Sequence, residues 1–147
     1  MSVQKYFTEE NKLQITNAIR VAETNTSGEI RVHIEKHCKG DVLDQAAYVF
    51  EKLAMHKTEL RNGVLFYLAV EDHKFAILGD AGINKEVPED FWESTKEVVV
   101  EKLREGKFSD GLADGIIKAG EQLKAHFPYQ KDDVNELSDE ISFGKDK

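Results

Sequence analysis

The sequence predicts an α/β fold built on a small mixed β-sheet flanked by helices on both faces, and two observations lead to this prediction. Helical and strand periodicities alternate along the chain in the order helix, strand, helix, strand, strand, helix, helix. The first two predicted strands are separated by a crossover helix, which makes them parallel, whereas the third follows a short turn and returns antiparallel. We place one α/β domain at residues 1–128 and an acidic, partly flexible C-terminal tail at residues 129–147.

Four helices are predicted from apolar residues that recur at spacings of three and four. Thr8 is a typical N-cap residue, and Pro88 suits the first turn of a helix. The predicted helices run from Thr8 to about Asn25, through Leu43 to Ala54, from Pro88 to about Arg104, and from near Ser109 to before Pro128.

Three strands are predicted between these helices. Residues 29–36, EIRVHIEK, alternate strictly between apolar and polar side chains. Residues 63–70, GVLFYLAV, are almost continuously apolar, which is typical of a central strand covered on both faces. Residues 74–80, KFAILGD, follow a short polar turn and form the hairpin partner.

The net charge, the lack of long apolar segments and the single cysteine indicate what the protein can bind and where it is expected to be located. A net charge of −8 argues against a nucleic-acid partner, which requires a basic face. No segment approaches the 18 apolar residues of a membrane span, and the N-terminus lacks the apolar core of a signal peptide. The single cysteine, Cys38, cannot form an internal disulfide. We therefore expect a cytoplasmic monomer without membrane insertion.

The C-terminal tail has two possible roles. Residues 129–147 contain six acids and three lysines. Val134, Leu137 and Ile141 would share one face of a helix. This apolar stripe could dock on the body of the protein or on a partner, or the tail could remain disordered.

The predicted topology brings three polar, glycine-containing segments to one edge of the sheet. The segment Ser27-Gly28-Glu29 begins the first strand, Arg61-Asn62-Gly63 begins the second, and Gly79-Asp80-Ala81-Gly82 ends the third. Because the first two strands are parallel and the third is antiparallel, these ends should lie side by side. This edge is the predicted functional site.

A divalent cation, Ca²⁺ or Mg²⁺, is the ligand that the edge is expected to bind. Such cations take carboxylate, carbonyl and water oxygens, and nothing here resembles an EF-hand loop, so a hydrated and weak site is expected. Alternatively, Asp80 shapes the turn, and the acids after it only complement a helix dipole. The candidate carboxylates are Asp80, Glu29, Glu86, Glu89 and Asp90, and the candidate backbone positions are Gly79, Gly82, Asn62 and Gly63.

Two other kinds of site are considered. His33, Glu35 and His37 would share one strand face and could form a zinc ligand set, but an ordinary solvated strand face is the favoured explanation. Phe91 and Trp92 are adjacent at a predicted helix start, where both cannot point inward. One of them could contact a protein partner, which would make the protein a non-enzymatic interaction module.

Several of these motifs together resemble the TPM domain, a family named after thylakoid-lumen, photosystem-repair and receptor-modulator proteins. The resemblance rests on SGEIRV, the Ala46 to Phe50 helix segment, NGVLFYLAVED and GDAGI, and it covers about residues 5–127. It implies an α/β/α sandwich around a small mixed sheet and divalent-cation binding in an acidic depression. It also implies acid phosphatase activity on phosphomonoesters, which is claimed for some plant members.

If the phosphatase activity applies, Asp80 would be the nucleophile or a metal ligand, and Arg61 would bind the phosphate through two hydrogen bonds. Arg61 could equally pair with Glu59 or Asp80 as a surface residue. The sequence departs from the family pattern at HKTELRNG, which lacks the usual glycine-rich run, and at GDAG, where the family typically has Gly-Tyr-Gly. It contains neither a P-loop nor a C-x5-R motif.

Overall fold

The computed structural model describes residues 3–130 and 137–144. It contains five α-helices and four β-strands in these ranges, with a short 3-10 turn at Val3–Tyr6. The helices are α1 (Glu9–Asn25), α2 (Val42–Lys52), α3 (Ala81–Glu86), α4 (Glu93–Arg104) and α5 (Phe108–Leu123), and the strands are β1 (Glu29–Glu35), β2 (Gly63–Ala69), β3 (Lys74–Gly79) and β4 (Ser142–Phe143).

The strands form one mixed sheet in the order β3-β2-β1-β4. β1 and β2 are parallel, with Glu29 opposite Gly63, and β2 and β3 are antiparallel, with Val64 opposite Gly79. These two pairings confirm the predicted topology. β4 was not predicted: it pairs in parallel with β1 through two residues, because the chain after α5 returns to the outer edge of β1.

Two hydrophobic clusters enclose the central strand, β2, which is buried along its whole length. Val64, Phe66 and Leu68 face the larger cluster, which also contains apolar residues of α1, α4 and α5. Leu65 and Tyr67 face the smaller cluster, which is covered by α2. Because successive strand residues point to opposite faces, an uninterrupted apolar run supplies both layers. The fold is therefore the predicted α/β/α sandwich.

Local sequence accounts for where α1 begins. The Thr8 side chain accepts a hydrogen bond from the Asn11 backbone N–H at 3.1 Å, and the Asn11 side chain accepts one from the Thr8 N–H at 3.0 Å. This capping box satisfies two backbone donors that the helix itself cannot satisfy. Glu9 and Glu10 then lie in the first turn, where carboxylates favour the positive end of the helix dipole.

The region after β3 differs from the sequence prediction. Asp80 caps an additional short helix, α3, and the helix expected from Pro88 begins only at Glu93. Val87, which precedes proline, is extended, as residues before proline commonly are. Residues 88–92 then form turns in which Phe91 N–H donates to Pro88 O and Glu93 N–H donates to Asp90 O, each at 3.1 Å. Pro88 thus separates two helices instead of starting one.

Part of the tail packs on the body of the protein. Leu137 is buried in the cluster beneath α2, and Ile141 packs against the larger cluster. They do not lie on a common helix, because residues 137–141 are irregular. Val134, the third residue of the predicted stripe, lies outside the described residues.

Candidate functional site

The three predicted segments meet at one edge of the sheet and are joined by backbone hydrogen bonds. Glu29 N–H donates to Asn62 O at 3.0 Å, and the Asn62 side-chain amide donates to Ser27 O at 2.8 Å. Asp80 N–H donates to Gly63 O at 2.9 Å. The convergence that the topology predicts is therefore present.

Asp80 is the centre of this edge and forms both a helix cap and an ion pair. Its Oδ1 accepts a hydrogen bond from Ala81 N–H at 2.7 Å, as an N-cap residue does. Both carboxylate oxygens also bind Arg61, with Nε to Oδ2 and Nη2 to Oδ1 distances of 2.8 Å each. This bidentate pairing raises the pKa of Arg61 above its ordinary value, because the hydrogen-bonded carboxylate favours the charged guanidinium.

The two partners differ greatly in exposure. The Asp80 side chain is 5% exposed, whereas half of the Arg61 side chain, 50%, is exposed to solvent. The carboxylate is therefore fixed by the fold, while the guanidinium can leave it for water without unpacking the core.

Backbone geometry explains the glycine that follows Asp80 by two residues. A Cβ on Gly82 would lie 2.1 Å from Leu60 O and 2.6 Å from Arg61 O. Gly82 N–H also donates to Arg61 O at 2.9 Å. Arg61 itself has a φ of 51°, in the left-handed region that non-glycine residues rarely adopt. Residue 82 must be glycine because the turn at Arg61 packs directly against it.

A cavity of about 310 Å³ opens beside the ion pair. It lies between the C-terminal part of α2, the segment that follows α2, and the start of α3. Its wall combines two carboxylates, an imidazole and a guanidinium with two apolar side chains. The lining residues are Ala47, Phe50, Glu51, His56, Arg61 and Asp80.

The other predicted carboxylates do not line this cavity. Glu29 is buried, and its Oε1 accepts a hydrogen bond from Leu137 N–H at 2.8 Å. Glu86, Glu89 and Asp90 are exposed, and Glu89 borders a separate cavity of about 200 Å³. Within residues 3–130 and 137–144, no group of three or more His, Cys, Asp or Glu side chains has the geometry to hold a metal ion.

Two cavity residues, Glu51 and His56, were missed by sequence reasoning. Glu51 lies on the exposed side of α2, and His56 lies in the irregular segment before β2. Neither is part of a motif. The one available signal was the position of Glu51 in the sequence. It follows the buried Phe50 near the end of the crossover helix, and the topology directs that end of the helix toward the edge where β2 begins.

His33, Glu35 and His37 are divided between two hydrogen-bond networks. His33 Nδ1 lies 2.9 Å from Ser142 Oγ, and its Nε2 lies 3.1 Å from Glu35 Oε1. His37 instead pairs with Asp72 through Nδ1, at 3.0 Å.

Glu35 lies at the centre of the first network. Its Oε2 accepts hydrogen bonds from the Tyr67 hydroxyl and from Gln45 Nε2. Burial raises the pKa of Glu35, but the hydrogen bonds from His33, Tyr67 and Gln45 outweigh burial and leave this pKa below its usual value.

The aromatic pair considered as a partner contact packs on the core, and other apolar side chains are the exposed ones. Phe91 and Trp92 are both half-buried, pack against the larger cluster and meet edge to face with ring centroids 4.7 Å apart. Large exposed apolar side chains near the cavity belong instead to Tyr48 and Leu60. None of the helices in the described ranges combines the length and the apolar character that crossing a bilayer would require.

Comparison with known proteins gives a family match and several structural neighbours. The TPM domain model matches residues 2–122. The chain is similar to the NMR structure of the BA42 protein from the psychrophilic bacterium Bizionia argentinensis, with 50% identity, a TM-score of 0.91, and coverage of 97% of this chain and 98% of that one. No curated protein matches the chain.

Two further solution NMR structures share the fold at much lower identity. The N-terminal domain of the cg2496 protein from Corynebacterium glutamicum has 12% identity and a TM-score of 0.63, with coverage of 95% of this chain and 82% of that one. The N-terminal domain of a protein from P. gingivalis has 12% identity and a TM-score of 0.68, with coverage of 85% and 81%. The family match spans most of the sequence and agrees with the fold, so the chain belongs to the TPM domain family.

Proposed function

We propose that the protein binds a divalent cation, Ca²⁺ or Mg²⁺, weakly in the cavity beside the Arg61–Asp80 ion pair. The observation that carries this proposal is that the Asp80 and Glu51 carboxylates line the same cavity of about 310 Å³. Asp80 is the fixed ligand, because capping α3 and pairing with Gly63 hold it in place. Glu51, which lines the same cavity, is the second ligand.

A hydrated ion suits these residues better than a fully enclosed one. Mg²⁺ usually retains several waters and binds one or two carboxylates, and Ca²⁺ completes its six to eight oxygen ligands with water and carbonyl groups. Two carboxylates without a third are too few for a dedicated cage, in line with the finding for the described residues. The expected dissociation constant is on the order of millimolar.

Arg61 competes with the cation for Asp80. Both Asp80 oxygens are bound to the guanidinium, so an ion that binds them must displace at least one of these hydrogen bonds. Because half of the Arg61 side chain already faces solvent, this exchange leaves the core intact. Replacing Arg61 with glutamine removes the competitor and should tighten cation binding by roughly two- to fivefold.

Titration of the amide NMR spectrum with Ca²⁺ and Mg²⁺ tests the proposal. We expect saturable shifts at residues 51, 61–63 and 79–82 that disappear in Asp80→Asn and weaken in Glu51→Gln. Glu89→Gln is the matched control, because Glu89 is an exposed acid beside a different cavity. Equal binding by the wild type and Asp80→Asn, or no saturable shifts at this edge, would overturn the proposal.

Phosphomonoester hydrolysis is a second candidate function, favoured by one further observation. His56 lines the same cavity as Asp80 and Arg61, so an imidazole, a carboxylate and a guanidinium border one space. An imidazole can protonate a leaving oxygen, and a guanidinium can bind phosphoryl oxygens through two hydrogen bonds.

Turnover of p-nitrophenyl phosphate under mildly acidic conditions tests this second function. Activity that is lost in both Asp80→Asn and His56→Gln would support it. Activity that survives both substitutions would place the reaction elsewhere.

A further inference from the structure

The last described segment of the chain packs along the edge of the sheet, outside the cavity. Residues 137–144, here called the C-terminal strap, lie along the outer edge of β1. Gly144 N–H donates to Ile34 O at 2.8 Å, and Ser142 Oγ lies 2.9 Å from His33 Nδ1. The strap thus closes the sheet on the side opposite β3.

The other end of the strap reaches the edge where the strand ends meet. Leu137 is buried, its N–H binds Glu29 Oε1, and its Cδ1 lies 3.5 Å from the position that a Cβ on Gly63 would occupy. Phe50, which lines the cavity, lies 3.6 Å from the same position on Gly63. Leu137 therefore packs behind the cavity wall and covers the Glu29 carboxylate.

Between these two ends, the strap makes an acid-to-acid contact with α1. Glu23 of α1 forms a hydrogen bond with Asp139 of the strap and another with the backbone of Ile30. Its Oε2 is buried without a hydrogen-bond partner in the described structure. Two carboxyl groups can hydrogen-bond to each other only if one of them carries a proton.

We propose that the C-terminal strap is proton-linked: its closure onto β1 takes up a proton at the Glu23–Asp139 contact, and rising pH releases it. The charged groups that act on Glu23 are Asp139 of the strap and Glu29 of β1, and both are acids that disfavour a second negative charge. The strap also carries Glu140, which interacts electrostatically with Arg31 of β1. Release would uncover Leu137 and the Glu29 carboxylate.

The direction of the pH effect follows from the proton balance. Burial and the hydrogen bond with Asp139 raise the pKa of Glu23 from 4.5 to about 9. In the released state, Glu23 loses its contact with Asp139, so its pKa is lower than in the closed state. At pH values between the pKa values of the two states, the closed state holds one more proton than the released state. The equilibrium constant for closure therefore falls by up to tenfold for each unit by which the pH rises. Closure is strongest in acid and is lost as pH rises toward 9.

Methyl NMR spectra recorded from pH 5 to pH 10 test this inference independently of any bound cation. As pH rises, the methyl signals of Leu137 and Ile141 should shift toward those of a solvent-exposed segment. The methyl signals of Leu68 and Ile77 in the sheet should not shift. Glu23→Gln is neutral at every pH and should keep the strap closed throughout. The control Glu10→Gln, an exposed acid on the same helix, should titrate as the wild type does.

Two outcomes would overturn the inference. One is that the chemical shifts of the strap methyl groups do not change with pH in the wild type while the sheet remains intact. The other is that these shifts change with pH in Glu23→Gln as they do in the wild type. Asp139→Asn provides a second variant if Glu23→Gln folds poorly. An asparagine can donate to an ionised Glu23, so this variant should lose most of the pH dependence, and an unchanged dependence would count against the inference.

Discussion

At the residue scale, Asp80 shows why a carboxylate can stand between two glycines. It caps α3, pairs with Arg61 and lines a cavity at the same time. The sequence indicated the carboxylate, the glycines and the possible pairing with Arg61. It gave no sign of the left-handed backbone at Arg61, since that conformation arises from packing against Gly82. Of the five predicted metal ligands, Asp80 alone lines the cavity: Glu29 is buried beneath Leu137, and the other three are exposed acids at or after the end of α3.

Gly82→Ala tests this local packing. The added Cβ would meet two backbone carbonyl oxygens that cannot rotate away, so the turn at Arg61 must shift. We expect a loss of about 1–3 kcal/mol in the free energy of unfolding, which chemical denaturation can measure. The exposed neighbouring site offers a control, since Ala81→Ser should change stability by less than about 0.5 kcal/mol. A Gly82→Ala variant as stable as the wild type would show that the turn is not tightly packed.

At the element scale, β1, β2 and β3 were predicted well because the pattern of apolar and polar residues in each strand follows the burial of its side chains. The parallel pairing of β1 with β2 followed from the crossover through α2. β4 escaped prediction because a two-residue strand has no measurable period, and its position depends on contacts with His33 and Ile34. The start of α4 was misplaced because Pro88 is equally compatible with a turn.

Thr8→Ala tests whether the capping box fixes the start of α1. Losing the side-chain acceptor leaves the Asn11 N–H without its partner, which should cost about 1 kcal/mol of stability. Thr24→Ala is the matched control, because Thr24 is exposed in the same helix and its hydroxyl donates to Val21 O. Thermal unfolding should separate the two variants, and equal melting temperatures would argue against the cap.

At the scale of the whole molecule, two partly buried carboxyl groups, those of Glu35 and Glu23, make stability depend on pH in opposite directions. The pKa of Glu35 is below its ordinary value of 4.5, so its ionised form stabilises the fold. That contribution is complete above pH 4.5 and is lost as pH falls through the folded-state pKa. Glu23 acts in the reverse sense, because its raised pKa weakens the closed structure as pH rises. Maximum stability is therefore expected in mildly acidic solution.

Glu35→Gln separates these two effects. The variant should be less stable than the wild type near pH 6, and its stability should change less between pH 5 and pH 3, because the group that titrates there is gone. Melting temperatures measured across this range give the answer, with Glu10→Gln as the exposed control. A Glu35→Gln variant with the wild-type acid dependence would mean that other carboxylates dominate acid unfolding.

The NMR signal of the Arg61 side chain reports whether a cation reaches Asp80. Its Nε–H donates to Asp80 Oδ2 at 2.8 Å, and this group gives its own NMR signal. If a divalent cation binds Asp80 by displacing the guanidinium, the signal will move during a Ca²⁺ or Mg²⁺ titration and will saturate together with the amide shifts at residues 79–82. An Arg61 signal that stays in place through saturating cation would show that the ion pair persists and that Asp80 is not the ligand.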